Sequence, residues 1–218
     1  RRQRQMCIRD RDDIGRCMVA DVDPETPGCE VWASGTTLDG KLYSCRGELL
    51  SKKAPVYKFA GSWTFNMGIW WNGTLNRQML DRGYVTEYIA DNGGSGNRIF
   101  LKEDYGVTTG QGTKNNPVFY GDFWGDWREE MIYVTPDYTE LRIFTTNIET
   151  KYRFRPLMYD HVYRLSATHE NVGYNQPTHP GFYIGSDLLK DENMEIGPGG
   201  IGDWKPEEGE HNGSAYED

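Results

Sequence analysis

VADVDPETPGCEVWAS (Val19–Ser34) and YGDFWGDWREEMIYVT (Tyr120–Thr135) are the two stretches on which the fold turns. Each places an aspartate, Asp21 or Asp122, in a polar turn, and then a glutamate leading an aromatic and β-branched run. KLYSC follows the first and ELRIFTT the second, as though one pattern had been written twice. Between them lies FNMGIWWNGTLNRQMLD (Phe65–Asp81), with TEYIA and RIFLK after it and its own turn at Asn72–Gly73 near the midpoint. A unit of roughly 50 residues carrying four short strands is the repeat expected of a β-propeller blade.

Working outward, CEVWAS, KLYSC, FNMGIWW, TEYIA, RIFLK, VFYGDFW, EEMIYVT and ELRIFTT all read as strands, because aromatic and β-branched residues dominate them and Gly, Asn, Asp and Pro separate them. No segment sustains a helical period, so the chain is expected to be all-β. About three blades fit between residues 12 and 165, followed by a returning segment, Tyr163–Gly185. Three blades cannot close a ring or cover their own faces. Further blades N-terminal to these are therefore expected partners within the same protein.

The two ends have a different character. RRQRQMCIRD (Arg1–Asp10) back-translates to CGTCGGCAGCGTCAGATGTGTATAAGAGAC, a transposase adapter used in preparing DNA libraries, so residues 1–11 are expected to be non-native. Removing their five arginines and one aspartate takes the net charge from −9 to −13. A chain this acidic does not bind nucleic acid through charge, and no apolar run is long enough to cross a membrane. Residues 187–218 hold ten acidic residues against two lysines around a GPGGIG cluster, and read as a disordered tail or linker. Beyond Cys7, the three cysteines Cys17, Cys29 and Cys45 have no close spacing, which argues against zinc and against a disulfide framework. They read as small buried hydrophobes within strands.

Asp21, Asp23 and Glu30 surround a Pro-Gly turn, a spacing that offers several carboxylate oxygens to a hard cation such as calcium. Asp122, Asp126, Glu129 and Glu130 repeat the theme. The competing reading is a turn whose aspartates bond their own backbone, with Glu129 paired to Arg128 or solvated. Trp32, Trp124 and Trp127 read as core, and the Trp70-Trp71-Asn72-Gly73 turn offers an aromatic platform. His169 and His179 read as structural.

Three strings are too polar and irregular for a packing pattern: GTK (Gly112–Lys114), GDWREE (Gly125–Glu130) and YNQPTHPGFYIG (Tyr174–Gly185). With ADVDPETPGCEVWAS they resemble the C-terminal part of rhamnogalacturonan lyases, the eleventh family of polysaccharide lyases. The resemblance implies an eight-bladed β-propeller, of which about three blades, residues 12–186, are present here. It also implies a secreted enzyme that cleaves the rhamnose–galacturonate backbone of pectin by calcium-assisted β-elimination.

It further implies roles for particular residues. The family shows an Asn-Gly-Thr-Lys run lining its cleft; this chain keeps Gly112, Thr113 and Lys114 and has Gln111 in place of the asparagine. These four, with Tyr174 packed on a sugar face, are expected to hold the saccharide. Lys114 is the expected base, because a lysine beside a cation has its ammonium disfavoured. Arg16, in a segment resembling a family glycine-arginine string, is the expected clamp on the uronate carboxylate, with Arg77 second. A calcium-stabilised binding module and a lyase-like lectin without activity are the alternatives left open by these residues.

Overall fold

The computed structural model describes residues 16–34, 40–52, 54–55, 65–90, 96–110, 115–170, 172–173, 176–188 and 207–208. The candidate residues Gln111, Gly112, Thr113, Lys114 and Tyr174 lie outside these, as do residues 1–15. Most of the regular secondary structure among the described residues is antiparallel sheet. β1 (Arg16–Ala20), β2 (Glu30–Ser34), β3 (Lys41–Ser44) and β4 (Leu49–Ser51) pair in sequence order, as do β5 (Met67–Ile69), β6 (Gln78–Asp81), β7 (Tyr84–Thr86) and β8 (Arg98–Leu101). β9 (Phe119–Gly121), β10 (Glu130–Val134) and β11 (Leu141–Phe144) form a third sheet with β10 in the middle.

The strand periodicity explains how the sheets stack. In β3 the residues alternate outward and inward, and the inward Leu42 joins Met18, Ala20 and Trp32 against Phe65 and Met79 from the second unit. The middle sheet buries both faces. Its Met67, Leu80, Val85 and Phe100 pack on Tyr120, Met131 and Tyr133 of the third sheet. The outer face of the first sheet is different. Val19, Val31, Tyr43 and Leu49 form one row across its four strands, and they are 47, 36, 36 and 49 % exposed.

The repeat read in the sequence recurs as a hydrogen-bond motif. Glu30 Oε2 accepts the N–H groups of Val22 and Asp23 at 2.8 and 3.0 Å. Gln78 Oε1 accepts those of Trp71 and Asn72 at 2.7 and 2.9 Å. Glu130 Oε2 accepts those of Phe123 and Trp124, both at 3.1 Å. In each unit the first residue of the second strand braces the turn before it. One backbone bond then joins each unit to the next: Arg77 N–H to Asp21 O at 2.7 Å, and Glu129 N–H to Trp70 O at 3.0 Å.

Four expectations need correction. A helix, His161–His169, does form, started by Asp160, whose Oδ1 accepts the Val162 N–H at 3.0 Å. Only Tyr163 and Ala167 on it are buried, which is too narrow an apolar stripe to announce a helix. TEYIA pairs mainly before its expected position, because Arg82 and Gly83, with φ of 50° and 80°, close a tight hairpin between β6 and β7. Among the cysteines, Cys17 and Cys45 are exposed and Cys29 is intermediate. The acidic segment is not wholly apart from the fold: Leu188 lies in the core, and β13 (Glu207–Glu208) pairs with β12 (Tyr152–Arg153). No helix among the described residues is long and apolar enough to cross a membrane.

Candidate active site

The strands deliver the flanks of the two polar strings to one place. β9 follows GTK directly, and its Tyr120 hydroxyl accepts the N–H of Thr178, within the YNQPTHPGFYIG string, at 2.9 Å. The base of the GTK loop is pinned as well. Thr109 Oγ1 lies 3.3 Å from Asn115 Oδ1, and Gly110 approaches Val118 so closely that a Cβ there would sit 2.9 Å from a methyl.

Beneath these flanks lies a buried polar network. Arg77 Nη2 bonds both oxygens of Glu129, at 3.1 and 3.0 Å, and Thr178 Oγ1 at 2.6 Å, while Nη1 donates to Thr178 O at 2.7 Å. Its guanidinium stacks 4.2 Å over the Trp70 ring. Glu129 also accepts from Trp70 N–H at 2.9 Å, Tyr163 OH at 2.6 Å and Thr178 Oγ1 at 2.5 Å. Glu170, which accepts the Tyr120 N–H at 2.9 Å, keeps a buried Oε1 without a partner. Burial pushes its carboxyl well above the ordinary range. Burial, with the nearby Arg77, holds His179 down to about 4.

Arg77 lies beneath the surface rather than on it: it is 3 % exposed, and its Nη1 and Nη2 groups bond Glu129 and Thr178. It holds the returning segment at Thr178. Arg16 opens β1. The aromatic surface also differs from expectation. Trp71, read as a platform, is buried at 7 % exposure, and Trp124, read as core, is 57 % exposed, whereas Trp32 and Trp127 are buried as expected.

The acidic turns are desolvated. Burial raises Asp21 to about 6, Asp122 and Glu130 to about 7, and Glu30 to about 8. Among the described residues no three acidic, imidazole or thiol groups converge as a finished cation cage. At the first turn, Glu30 Oε1 is buried without a partner, beside Asp21 and Asp23. That orphaned oxygen among carboxylates suits a hard cation. Asp21 also holds the returning segment, accepting from Tyr183 OH at 2.8 Å and Ser186 N–H at 2.5 Å. Asp23 likewise accepts from Glu25 N–H and Thr26 Oγ1, and at the other turn, too, the oxygens are engaged by protein donors. Asp122 accepts from Gly125 and Leu157 N–H, Asp126 is paired with Arg128, and Glu129 with Arg77.

Sequence comparison places these observations. The family described as rhamnogalacturonan lyase family 11, C-terminal domain, matches residues 4–194. The chain belongs to that family. It is 40 % identical over 178 residues to the rhamnogalacturonan endolyase YesW of Bacillus subtilis (strain 168), spanning 82 % of this chain and 26 % of that protein. It is 38 % identical over 190 residues to the rhamnogalacturonan exolyase YesX of the same organism, spanning 82 % of this chain and 29 % of that one. Among solved structures, the crystal structure of YesW superposes with a TM-score of 0.71 at 38 % identity, covering 87 % of this chain and 29 % of YesW. The chain thus spans under a third of the length of these relatives.

Proposed function

We propose that the chain forms part of a secreted polysaccharide lyase that cleaves the rhamnose–galacturonate backbone of rhamnogalacturonan, the ramified portion of pectin, by β-elimination. The observation carrying this reading is the Tyr120–Thr178 bond, which draws together the strand after GTK and the segment after Tyr174. The three stacked meanders are read as consecutive blades of an eight-bladed propeller. The exposed row Val19, Val31, Tyr43 and Leu49 supports a further blade packed on the first sheet. The chain alone is expected to be inactive.

In this reading Lys114 takes the C5 proton of the galacturonate as the C4 oxygen leaves. Arg16 clamps the uronate carboxylate, Gln111, Gly112 and Thr113 hold the sugar hydroxyls, and Tyr174 packs on a ring face. Bound calcium would neutralise that carboxylate and so acidify the C5 proton. Asp21, Asp23 and Glu30 are the residues best suited to hold a cation, on the strength of the orphaned Glu30 oxygen. Whether an ion held there serves chemistry or shape is separable by experiment.

The test is ultraviolet absorbance of the unsaturated uronate, measured on rhamnogalacturonan with the complete protein, with and without EDTA. Calcium-dependent growth of the signal, lost in Lys114→Ala, supports the lyase. A folded, calcium-loaded protein that gives no signal overturns it.

A further inference from the structure

Two thiols that the enzymatic reading does not use, Cys29 and Cys45, flank the last pair of the β2–β3 ladder. β2 and β3 pair Glu30 with Ser44 and Val31 with Tyr43. The ladder ends at that pair; carried one residue further, the same register would set Cys29 opposite Cys45, the first residue of the β3–β4 turn. Directly opposed residues of an antiparallel pair have Cα atoms about 4.5–5.5 Å apart, inside the roughly 4.4–6.8 Å span that a disulfide bridges. Opposed side chains leave the same face of a ladder.

The local packing points the same way. Cys45 Sγ lies over Gly28, so near that a Cβ on that glycine would sit 2.7 Å from the sulfur. Its thiol is directed at the Pro27 carbonyl, 4.0 Å away. Cys45 thus reaches across to the residues immediately preceding Cys29, and it is exposed to an oxidant. Cys17 sits elsewhere, opposite Ala33 at the far end of the β1–β2 ladder.

We propose that Cys29 and Cys45 form a disulfide under oxidising conditions, a cross-link that ties the turn carrying Asp21, Asp23 and Glu30 to the tip of the β3–β4 hairpin. The oxidant is a small or protein disulfide. The exposed Cys45 thiolate attacks it and expels one thiolate; the Cys29 thiol, kept protonated by burial and by Asp21 and Glu30, then loses its proton as it attacks Cys45 Sγ and expels the second. Two protein thiols are oxidised, one oxidant disulfide is reduced to two thiols, and two protons pass to them. Closing the loop between these cysteines restricts the unfolded chain and fixes the turn in the folded one.

The test is peptide mapping by mass spectrometry after alkylation of free thiols, on protein equilibrated with excess oxidised glutathione. The expected result is a dithiothreitol-sensitive Cys29–Cys45 linked peptide, with Cys17 alkylated. Cys17→Ser retains the link, and Cys29→Ser leaves a glutathione adduct on Cys45. The same oxidation in urea gives mixed pairings, which shows that the native link comes from the fold. Three results overturn the proposal: both cysteines alkylated after equilibration, a stable glutathione adduct on Cys45 with Cys29 still free, or a link through Cys17.

Discussion

Arg77 and Glu129, 52 residues apart in sequence, form a salt bridge of 3.0 Å with side-chain exposures of 3 and 0 %. The pair joins the second unit to the third, and Thr178 closes the node from the returning segment. Truncating one partner leaves a buried charge unpaired. Arg77→Ala is expected to destabilise the protein by about 3–5 kcal/mol, read by urea unfolding. Adding Glu129→Gln should restore part of the loss, since the stranded charge is then gone. A double variant no better than the single one would place the cost in the lost stacking of the Arg77 guanidinium on Trp70.

Glu30 and Glu130 do in their units what the neutral Gln78 does between them. Glu30→Gln should therefore leave the fold within about 1 kcal/mol, while Glu30→Ala, which strands two N–H groups, costs about 1–3 kcal/mol. If calcium is held at this turn, Glu30→Gln weakens it without loss of structure, measurable by calorimetric titration of the metal.

The turn carboxylates dictate a pH profile. A carboxyl whose folded value is raised binds its proton more tightly when folded, so stability is greatest below the ordinary value and is lost as pH rises through the folded one. The ordinary values are 3.8 for Asp21 and Asp122 and 4.5 for Glu30 and Glu130, and the folded values run from about 6 to about 8. In EDTA, Tm should fall between about pH 5 and pH 8. Calcium should flatten or reverse that slope. A Tm that rises across this window in EDTA would contradict the assignment.

His179 acts in the opposite sense. Its folded value, about 4 against an ordinary 6.5, means that its contribution is complete above 6.5 and is lost as pH falls toward 4. His179→Asn should remove that acid-side loss from the unfolding profile and leave the slope above pH 6.5 unchanged.

Trp127 and Trp124 separate core from surface within one turn. Trp127, 2 % exposed with its indole N–H on Tyr152 O at 3.1 Å, should cost about 3–5 kcal/mol as Trp127→Ala. Trp124→Ala should fall within about 0.5 kcal/mol. Thermal melts of the two variants make the comparison.

The legible parts of this chain were the local ones. The turn residues at Asp21, Asn72 and Asp122 gave away the repeat, since turn chemistry is written in neighbouring residues, and the three braced turns follow it. The polar strings were legible as a family resemblance, and the family match agrees with that reading. Whether a charge is buried was not legible, because Arg77 owes its inward orientation to Glu129 and Thr178, far along the chain. The alternation of aromatic residues likewise could not rank Trp71, which joins the core between the second and third sheets, against Trp124, which takes the position of Asn72 in its turn. The nine-residue helix hid because two buried side chains sufficed to dock it.

The brace shared by Glu30, Gln78 and Glu130 carries one more consequence. A carboxylate and a carboxamide serve the turn equally well, so each unit can exchange charge for neutrality by a single substitution while its shape persists. Shape and charge at the turn are thereby separable: one substitution changes the charge a unit presents while leaving the pair of N–H bonds that hold its turn.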